Sequence, residues 1–344
     1  MRIKGLLLLC IVSTNLASAS EKPVAVESRS PIYENEWARL DFPKSPLRTT
    51  AVEISLKHEL SPDQEEEEEH LRGLWEIRYL AEKHFAERGI LNRLCYSKFE
   101  AGQTPKWQVV PYPSLSGYFD NGVLRNIYSL WNQTAVLFRT IFPAKEVSTK
   151  DRARIKTLWD KSKPKVISQV VEQTGTGALN REDVIERQII YPSSMKEEND
   201  ILLLYNYAPL YSGGRQMHFL LVPNPSSPAK NFLELEEKQY VEVLSLANKI
   251  AIWAQENFPK GTTVHFFDKT GVMAGQSEPL YHAHVVIIED ESEEIWGKLS
   301  MFFRMLLPRS PIANKILEKR VSYYRETLGT FLDEQTLEKG EEIE

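Results

Sequence analysis

The stretch Gly271-Val272-Met273-Ala274-Gly275-Gln276-Ser277-Glu278-Pro279-Leu280-Tyr281-His282-Ala283-His284-Val285-Val286-Ile287 decides the fold. Its end is apolar and β-branched and reads as a strand. Alternate strand residues share a face, so Leu280, His282, His284 and Val286 project to one side. Its start carries Ala274-Gly275-Gln276-Ser277, which has a counterpart upstream in Ala101-Gly102-Gln103-Thr104 at an offset of 173. The same offset pairs Leu80-Ala81 with Trp253-Ala254 and Phe85 with Phe258. Further on, Phe138-Arg139 and Pro143 match Phe303-Arg304 and Pro308 at an offset of 165. The matches keep their order, and the drift in offset marks short insertions. A solenoid repeats every 20–50 residues or so; a period near 170 is that of a whole domain, present twice.

Working outward, both copies show one layout. In the first, an extended stretch over 36–56 leads to Ser61-Pro62-Asp63, a helix start with a capping serine and proline in the first turn. The helix runs to Arg88 and stops at Gly89. The acidic run Glu65–Glu69 is a solvated face near its N-terminus. Strands over 92–98 and 105–111 follow, then amphipathic helical patterns over 121–160. In the second copy, strands are predicted at Ile201–Tyr207 and Met217–Val222. A helix is predicted over 235–258, from Val241, Leu244, Ala247 and Ile250 at helical spacing. Strands at 262–267 and 280–288 and helical patterns at 291–306 and 311–333 complete it. The glycine-containing, polar segment 162–186 is the linker. Strands alternating with single long helices give an α+β fold with mostly antiparallel pairing.

Residues 1–19 read as a secretory signal: Arg2 and Lys4, then the apolar Leu6–Val12, then Ala17-Ser18-Ala19 as a cleavage site. The domain expectation is therefore signal 1–19, first copy 20–161, linker 162–186 and second copy 187–344. The 344 residues hold 42 Lys+Arg and 48 Asp+Glu, a net charge of −6, which signal removal lowers by the two cations Arg2 and Lys4. That balance argues against a protein built to grip nucleic-acid phosphates. With only Cys10 and Cys95, a disulfide framework and a four-cysteine zinc site are excluded, and Cys95 reads as a buried, inert thiol. Asn132-Gln133-Thr134 is a glycosylation sequon if exposed. His58, His70 and His84 read as surface residues beside the acidic helix.

The chemistry-bearing residues lie in the second copy. Gly275 lets backbone approach a ligand, and Gln276 and Ser277 can donate to phosphate oxygens. His218 opens a neighbouring strand, His218-Phe219-Leu220-Leu221-Val222-Pro223. The His218 strand, the helix at 235–258 and the Gly271–Ile287 stretch together resemble the histidine-triad superfamily of nucleotidyl hydrolases and transferases, over residues 185–290. That family's signature is His-x-His-x-His with Gly-Gln-Ser/Thr upstream. Here its first histidine is Leu280; the middle one, the family's nucleophile, falls on His282, and the third on His284.

The resemblance implies a fold of two such copies, each an antiparallel sheet with one long helix, joined as an intramolecular pseudo-dimer in a monomeric chain. It implies that His282 attacks the α-phosphorus of a nucleotide to form a nucleotidyl-histidine intermediate. His284, Ser277, Gln276 and Gly275 would hold the phosphate, and His218 would support the histidine strand. In the first copy, aligning Val109-Val110-Pro111 with the strand after the signature puts Thr104, Lys106 and Gln108 at the three histidine positions, so that copy reads as a structural partner. Lys106 or Gln108 could still reach a shared ligand. The tandem arrangement is similar to galactose-1-phosphate uridylyltransferases and diadenosine tetraphosphate phosphorylases, although no Cys-x-x-Cys zinc pair is present. The expected protein is an exported (secreted or periplasmic) nucleotide phosphoester hydrolase or nucleotidyltransferase. Its partner is a small molecule, with no cofactor, no nucleic acid and no membrane once the signal is cleaved. Two alternatives stand beside it. One is a catalytically degenerate binding protein, given Leu280. The other is a zinc site from His282 and His284 with His218 or His265.

Overall fold

Short strands need neighbours to satisfy their edges, and the described residues supply ten of them in one sheet. The structure, a computed structural model, describes residues 31–48, 50–60, 64–100, 103–112, 122–141, 146–161, 177–192, 200–210, 217–226, 228–258, 261–276, 278–289, 295, 296, 299 and 311–337. The signal segment, the helix start at Ser61-Pro62-Asp63, linker residues 162–176 and Ser277 lie outside them, as does most of the helical pattern at 291–306. Pro31–Glu344 is one compact unit.

The strands are β1 (Tyr33–Glu34), β2 (Ala38–Asp41), β3 (Val52–Leu56), β4 (Asn92–Glu100), β5 (Lys106–Tyr112), β6 (Ile189–Tyr191), β7 (Ile201–Tyr205), β8 (His218–Pro223), β9 (Thr263–Thr270) and β10 (Ala283–Ile288). The helices are α1 (Gln64–Ala86), α2 (Gly122–Ile141), α3 (Thr149–Lys161), α4 (Glu182–Glu186), α5 (Glu237–Asn257), α6 (Asn314–Tyr324) and α7 (Thr330–Leu337). Local chemistry sets their ends. Gly89 takes φ +79° just past α1, a conformation costly for other residues. At the start of α5, Glu236 and Gln239 form a reciprocal capping box.

Every strand pair is antiparallel, in the order β1-β2-β3-β5-β4-β9-β10-β8-β7-β6. Read from either edge inward, the elements come in the same chain order: three strands, a long helix, then two strands that enter in reversed position. The halves meet at β4 and β9, where Cys95 pairs with Asp268, two residues separated by the sequence offset of 173. That pairing corrects the register read from sequence. Val109 lies opposite Cys95 and Ala283 opposite Asp268, so Gln108 matches His282 and Val110 matches His284, two residues on from the sequence alignment. Lys106, exposed at the start of β5, matches Leu280 rather than the nucleophile position.

The pleat divides the core in two. Cys95, Val109, Phe266, Ala283, Val285 and Ile287 face α1 and α5 in the larger cluster, which α6 closes with Leu317, Val321 and Tyr324. On the other face, Leu94, Val110, Phe267 and Val286 pack under Val136 of α2. Further along, Leu202, Leu204, Leu220 and Val222 are covered by Leu179 and Ile185. Those last two belong to the stretch expected as linker. Residues 178–186 fold into a 3-10 turn and α4 because β7 and β8 offer a second apolar face to cover.

Two further sequence expectations change. His70 is buried against Trp37, ring centroids 4.5 Å apart, because β1–β2 fold over α1 and shield it. The sequon residue Asn132 is buried on the inner side of α2, where its Oδ1 accepts from Arg48 at 3.0 Å, so it is no surface acceptor. Cys95 is fully buried, and desolvation pushes its thiol well above the ordinary range.

Candidate functional site

The histidines line up on the sheet face opposite α1 and α5. His284 pairs with Leu220 of β8 and Phe267 of β9, and Val286 pairs with His218. One hydrogen-bond chain runs through them. The Leu210 N–H donates to His218 Nδ1 at 2.9 Å, so in the neutral ring the proton sits on Nε2. That Nε2–H meets His284 Nδ1 at 2.9 Å, which makes His284 Nε2 a donor. Asn206 lies against the His218 ring, its Nδ2 3.3 and 3.4 Å from the two nitrogens, with its Oδ1 held by the Ala208 N–H at 2.9 Å. His284 also stacks on Phe267, centroids 4.6 Å apart at 20°.

His282 has the opposite polarity. Its Nδ1 lies 2.9 Å from the Leu280 carbonyl oxygen. A carbonyl can only accept, so Nδ1 carries the proton and Nε2 is the basic nitrogen of the neutral ring. The Leu280 position therefore supplies a backbone group here, and its side chain is only partly buried. Centroids of His282 and His284 are 4.9 Å apart, edge to face at 74°.

The loop that delivers His282 is tied down on both faces. Gln276 Oε1 accepts from the Gly271 N–H at 2.7 Å, and its Nε2 donates to the carbonyls of Lys230 at 2.9 Å and Leu280 at 3.4 Å. Its amide thus braces the loop from Gly271 to Leu280. Gly275 takes φ +85°, and a Cβ there would collide with the Gln133 amide of α2. That glycine is required by backbone conformation and by the approach of α2. On the opposite face, the Tyr281 hydroxyl donates to Asp268 Oδ2 at 3.0 Å. Arg78 of α1 grips Asp268 with Nη1 and Nη2 at 2.7 and 2.6 Å, stacks 4.0 Å from the Phe232 centroid, and reaches Glu82 at 3.2 Å. Glu82 in turn pairs with Arg93. This buried four-charge cluster joins a helix of the first half to the histidine loop of the second.

In the first half, the Gln108 amide is engaged by backbone groups. Its Oε1 accepts from the Leu47 N–H at 3.0 Å and its Nε2 donates to the Ser45 carbonyl at 3.2 Å, holding the 45–47 loop.

Two groups that sequence reading passed over join the site. Ala283 pairs with Asp268, so Lys269 and His282, the next residues outward, share the site face. Lys269 is buried, with Nζ 5.5 Å from the Phe267 ring centroid. Tyr96 from the first half places its hydroxyl 3.0 Å from His265 Nδ1. Lys269, Tyr96, His265 and Phe267 line a small cleft of about 50 Å³ between the β4–β9 junction and Gln133, Val136 and Thr140 of α2. The alternation His265-Phe267-Lys269 was the available signal, but its facing partner was not legible without register. Among the described residues, no group of three or more His, Cys, Asp and Glu is placed to hold a metal ion. The facing nitrogens of His218 and His284 bond to each other.

No protein-family model matches the chain, and no curated protein matches it in sequence. Solved structures are similar in outline. One is a uridylyltransferase at TM-score 0.42 and 6% identity, over 80% of this chain and 74% of that one. Another is a GalT-like protein from Arabidopsis thaliana at TM-score 0.40 and 11% identity, over 84% of each. A third is an ADP-glucose phosphorylase from the same plant, with bound ADP-glucose, at TM-score 0.37 and 11% identity, over 72% and 71%. The likeness is one of outline, and the chemistry is read from this chain's own residues.

Proposed function

We propose that this chain is a nucleotidyl hydrolase or transferase of histidine-triad type, with its chemistry in residues 187–344 and a structural first copy in 20–161. The single observation that supports the reading is the Leu280 carbonyl 2.9 Å from His282 Nδ1, which directs the lone pair to Nε2. In the proposed step, Nε2 forms a bond to the α-phosphorus while the bond from phosphorus to the leaving oxygen (or, in a phosphoramidate, nitrogen) breaks, the electron pair departing with the leaving group. The imidazolium so formed keeps its Nδ1–H on the Leu280 carbonyl, whose dipole favours the positive ring. The His284 Nε2–H and the Lys269 ammonium supply donors and positive charge for the phosphate oxygens. Water then attacks phosphorus, loses its proton to solvent, and releases the nucleoside monophosphate with His282 restored. Hydrolysis is favoured over transfer because we read the chain as exported, where water is abundant and nucleotide acceptors are scarce.

The test uses the full chain with nucleoside phosphoramidates, dinucleoside polyphosphates and nucleoside diphosphate sugars. Turnover is expected, abolished in His282→Asn, with a nucleotide adduct on His282 detectable by acid-quench mass spectrometry. His282→Gly should recover turnover with added imidazole. Binding without turnover across the panel would replace this reading with a degenerate, ligand-holding site, which the engagement of Gln276 with backbone favours.

A further inference from the structure

The carbonyl that orients His282 shares one planar peptide group with the Tyr281 N–H. Both ends of that group are engaged. The Leu280 oxygen lies 2.9 Å from His282 Nδ1, and the Tyr281 N–H donates to the Ala229 carbonyl at 2.7 Å. Turning the peptide would carry the oxygen off the histidine, so a group that fixes Tyr281 also fixes the His282 ring. The Tyr281 side chain is fully buried in the cluster beneath α1 and α5, on the face away from His282. Desolvation pushes its hydroxyl well above the ordinary range, so it stays protonated and donates to Asp268 Oδ2 at 3.0 Å.

Arg78 holds Asp268 from α1 through both Nη groups, and its guanidinium lies 4.0 Å from the Phe232 ring centroid. Phe232 comes from the segment whose Ala229 and Lys230 carbonyls accept from Tyr281 and Gln276. Guanidinium, loop and brace therefore close on one another. The arrangement is one-sided. The register that matches Asp268 with Cys95 and Ala283 with Val109 also matches Tyr281 with Trp107. The first half cannot reproduce the chain of contacts: Cys95 is a buried thiol, and the buried Nε1 of Trp107 has no hydrogen-bond partner. A cluster whose only work was to join two matching halves would serve equally from either side. This one is aimed at the half that carries the histidines.

We propose that Tyr281, held through Asp268 and Arg78, is a positioning residue for His282, so that α1 of the first half sets the tautomer and direction of a ring in the second. Tyr281 touches no reacting atom and acts through the Leu280–Tyr281 peptide, as supporting groups around a preorganised site do. The first half is then more than a structural partner. The effect on turnover rests on the phosphotransfer reading; the effect on the ring does not.

The test is Tyr281→Phe, which keeps the ring and removes the hydroxyl. Long-range proton–nitrogen NMR of histidine-labelled protein reads the His282 tautomer, with His282→Asn assigning its signals. In the natural protein the proton is expected on Nδ1. In Tyr281→Phe a mixture of Nδ1–H and Nε2–H forms is expected, with kcat about tenfold lower and KM changed by less than about twofold. Arg78→Met/Asp268→Leu removes the acceptor of the hydroxyl while refilling the volume, and should show the same mixture in a stable fold. Tyr240→Phe takes a hydroxyl from Arg78 without touching the loop, and should keep the natural tautomer and kcat. An unchanged tautomer in Tyr281→Phe would overturn the proposal. So would a mixture in Tyr240→Phe equal to that in Tyr281→Phe, since the cluster would then act through general packing. If circular dichroism shows that Tyr281→Phe has lost its fold, the double variant decides by the same readout. No turnover by the natural protein, with the tautomer still dependent on Tyr281, would end the phosphotransfer reading and support the positioning role.

Discussion

Asp268→Ala is the sharpest perturbation of this fold. It removes the carboxylate that holds Arg78, whose side chain is wholly buried, with Nη contacts to Asp268 at 2.6 and 2.7 Å. What remains for the guanidinium is Glu82 at 3.2 Å and the Tyr240 hydroxyl, and the Tyr281 hydroxyl loses its acceptor. Burial raises the Asp268 carboxyl and Arg78 opposes it, so each group depends on the other for its charged form. Breaking one side of a buried pair costs about 3–5 kcal/mol, and the surviving Glu82 contact places this case near the lower end. At about 2 °C per kcal/mol for a chain of this size, the melting temperature should fall by about 6–8 °C. The assay is guanidinium unfolding followed by circular dichroism and tryptophan fluorescence, with coincident transitions required before a free energy is assigned. Arg78→Met/Asp268→Leu should recover most of the loss, because the penalty belongs to the charge left behind and not to the missing contact. Breaking the exposed Arg72–Glu68 pair is the control and should cost under about 1 kcal/mol. An Asp268→Ala loss below about 1 kcal/mol, or a double variant as unstable as the two singles summed, would refute the reasoning.

Gly275→Ala should cost at least about 1–2 kcal/mol in the same assay, from the left-handed backbone alone, before any displacement of Gln133. Lys269→Gln should lower kcat by about 10²-fold if its ammonium serves the phosphate, with unfolding unchanged within about 1 kcal/mol; unchanged kcat would remove Lys269 from the site. His84 lies flat against Trp159, centroids 3.5 Å apart, and burial with Arg88 nearby pulls its pKa down to about 4 from 6.5. Its contribution is present above pH 6.5 and is lost as pH falls toward 4, so His84→Phe should flatten the acid side of the stability curve in that window. Glu242 runs the other way: burial, then Asp200, pushes it from 4.5 up to about 7. Its contribution is fully present below pH 4.5 and is lost as pH rises through 7, a slope that Glu242→Gln should lack.

Much of the architecture was legible because it is written in short-range pattern. The helix over 235–258 appears as α5 at Glu237–Asn257, and the strands at 92–98 and 217–222 appear as β4 and β8 with ends moved by at most two residues. What failed was contact over distance. Gln276 looks like a phosphate donor in sequence, yet its partners are backbone groups at Lys230, Gly271 and Leu280. Leu280 looks like a lost histidine, yet its position supplies the carbonyl that orients His282.

By itself, the sequence determined the periodicities and the histidine pair, since each depends on residues near one another along the chain. Only the tertiary structure decided which nitrogen of His282 is basic, that Lys269 stands beside it, and that Gln108, not Lys106, fills the matching place in the first half. It also joined Arg78 to Asp268 across 190 positions. Those outcomes follow from strand register and hydrogen-bond direction, and a shift of a single residue in either strand would turn the same side chains to the opposite face.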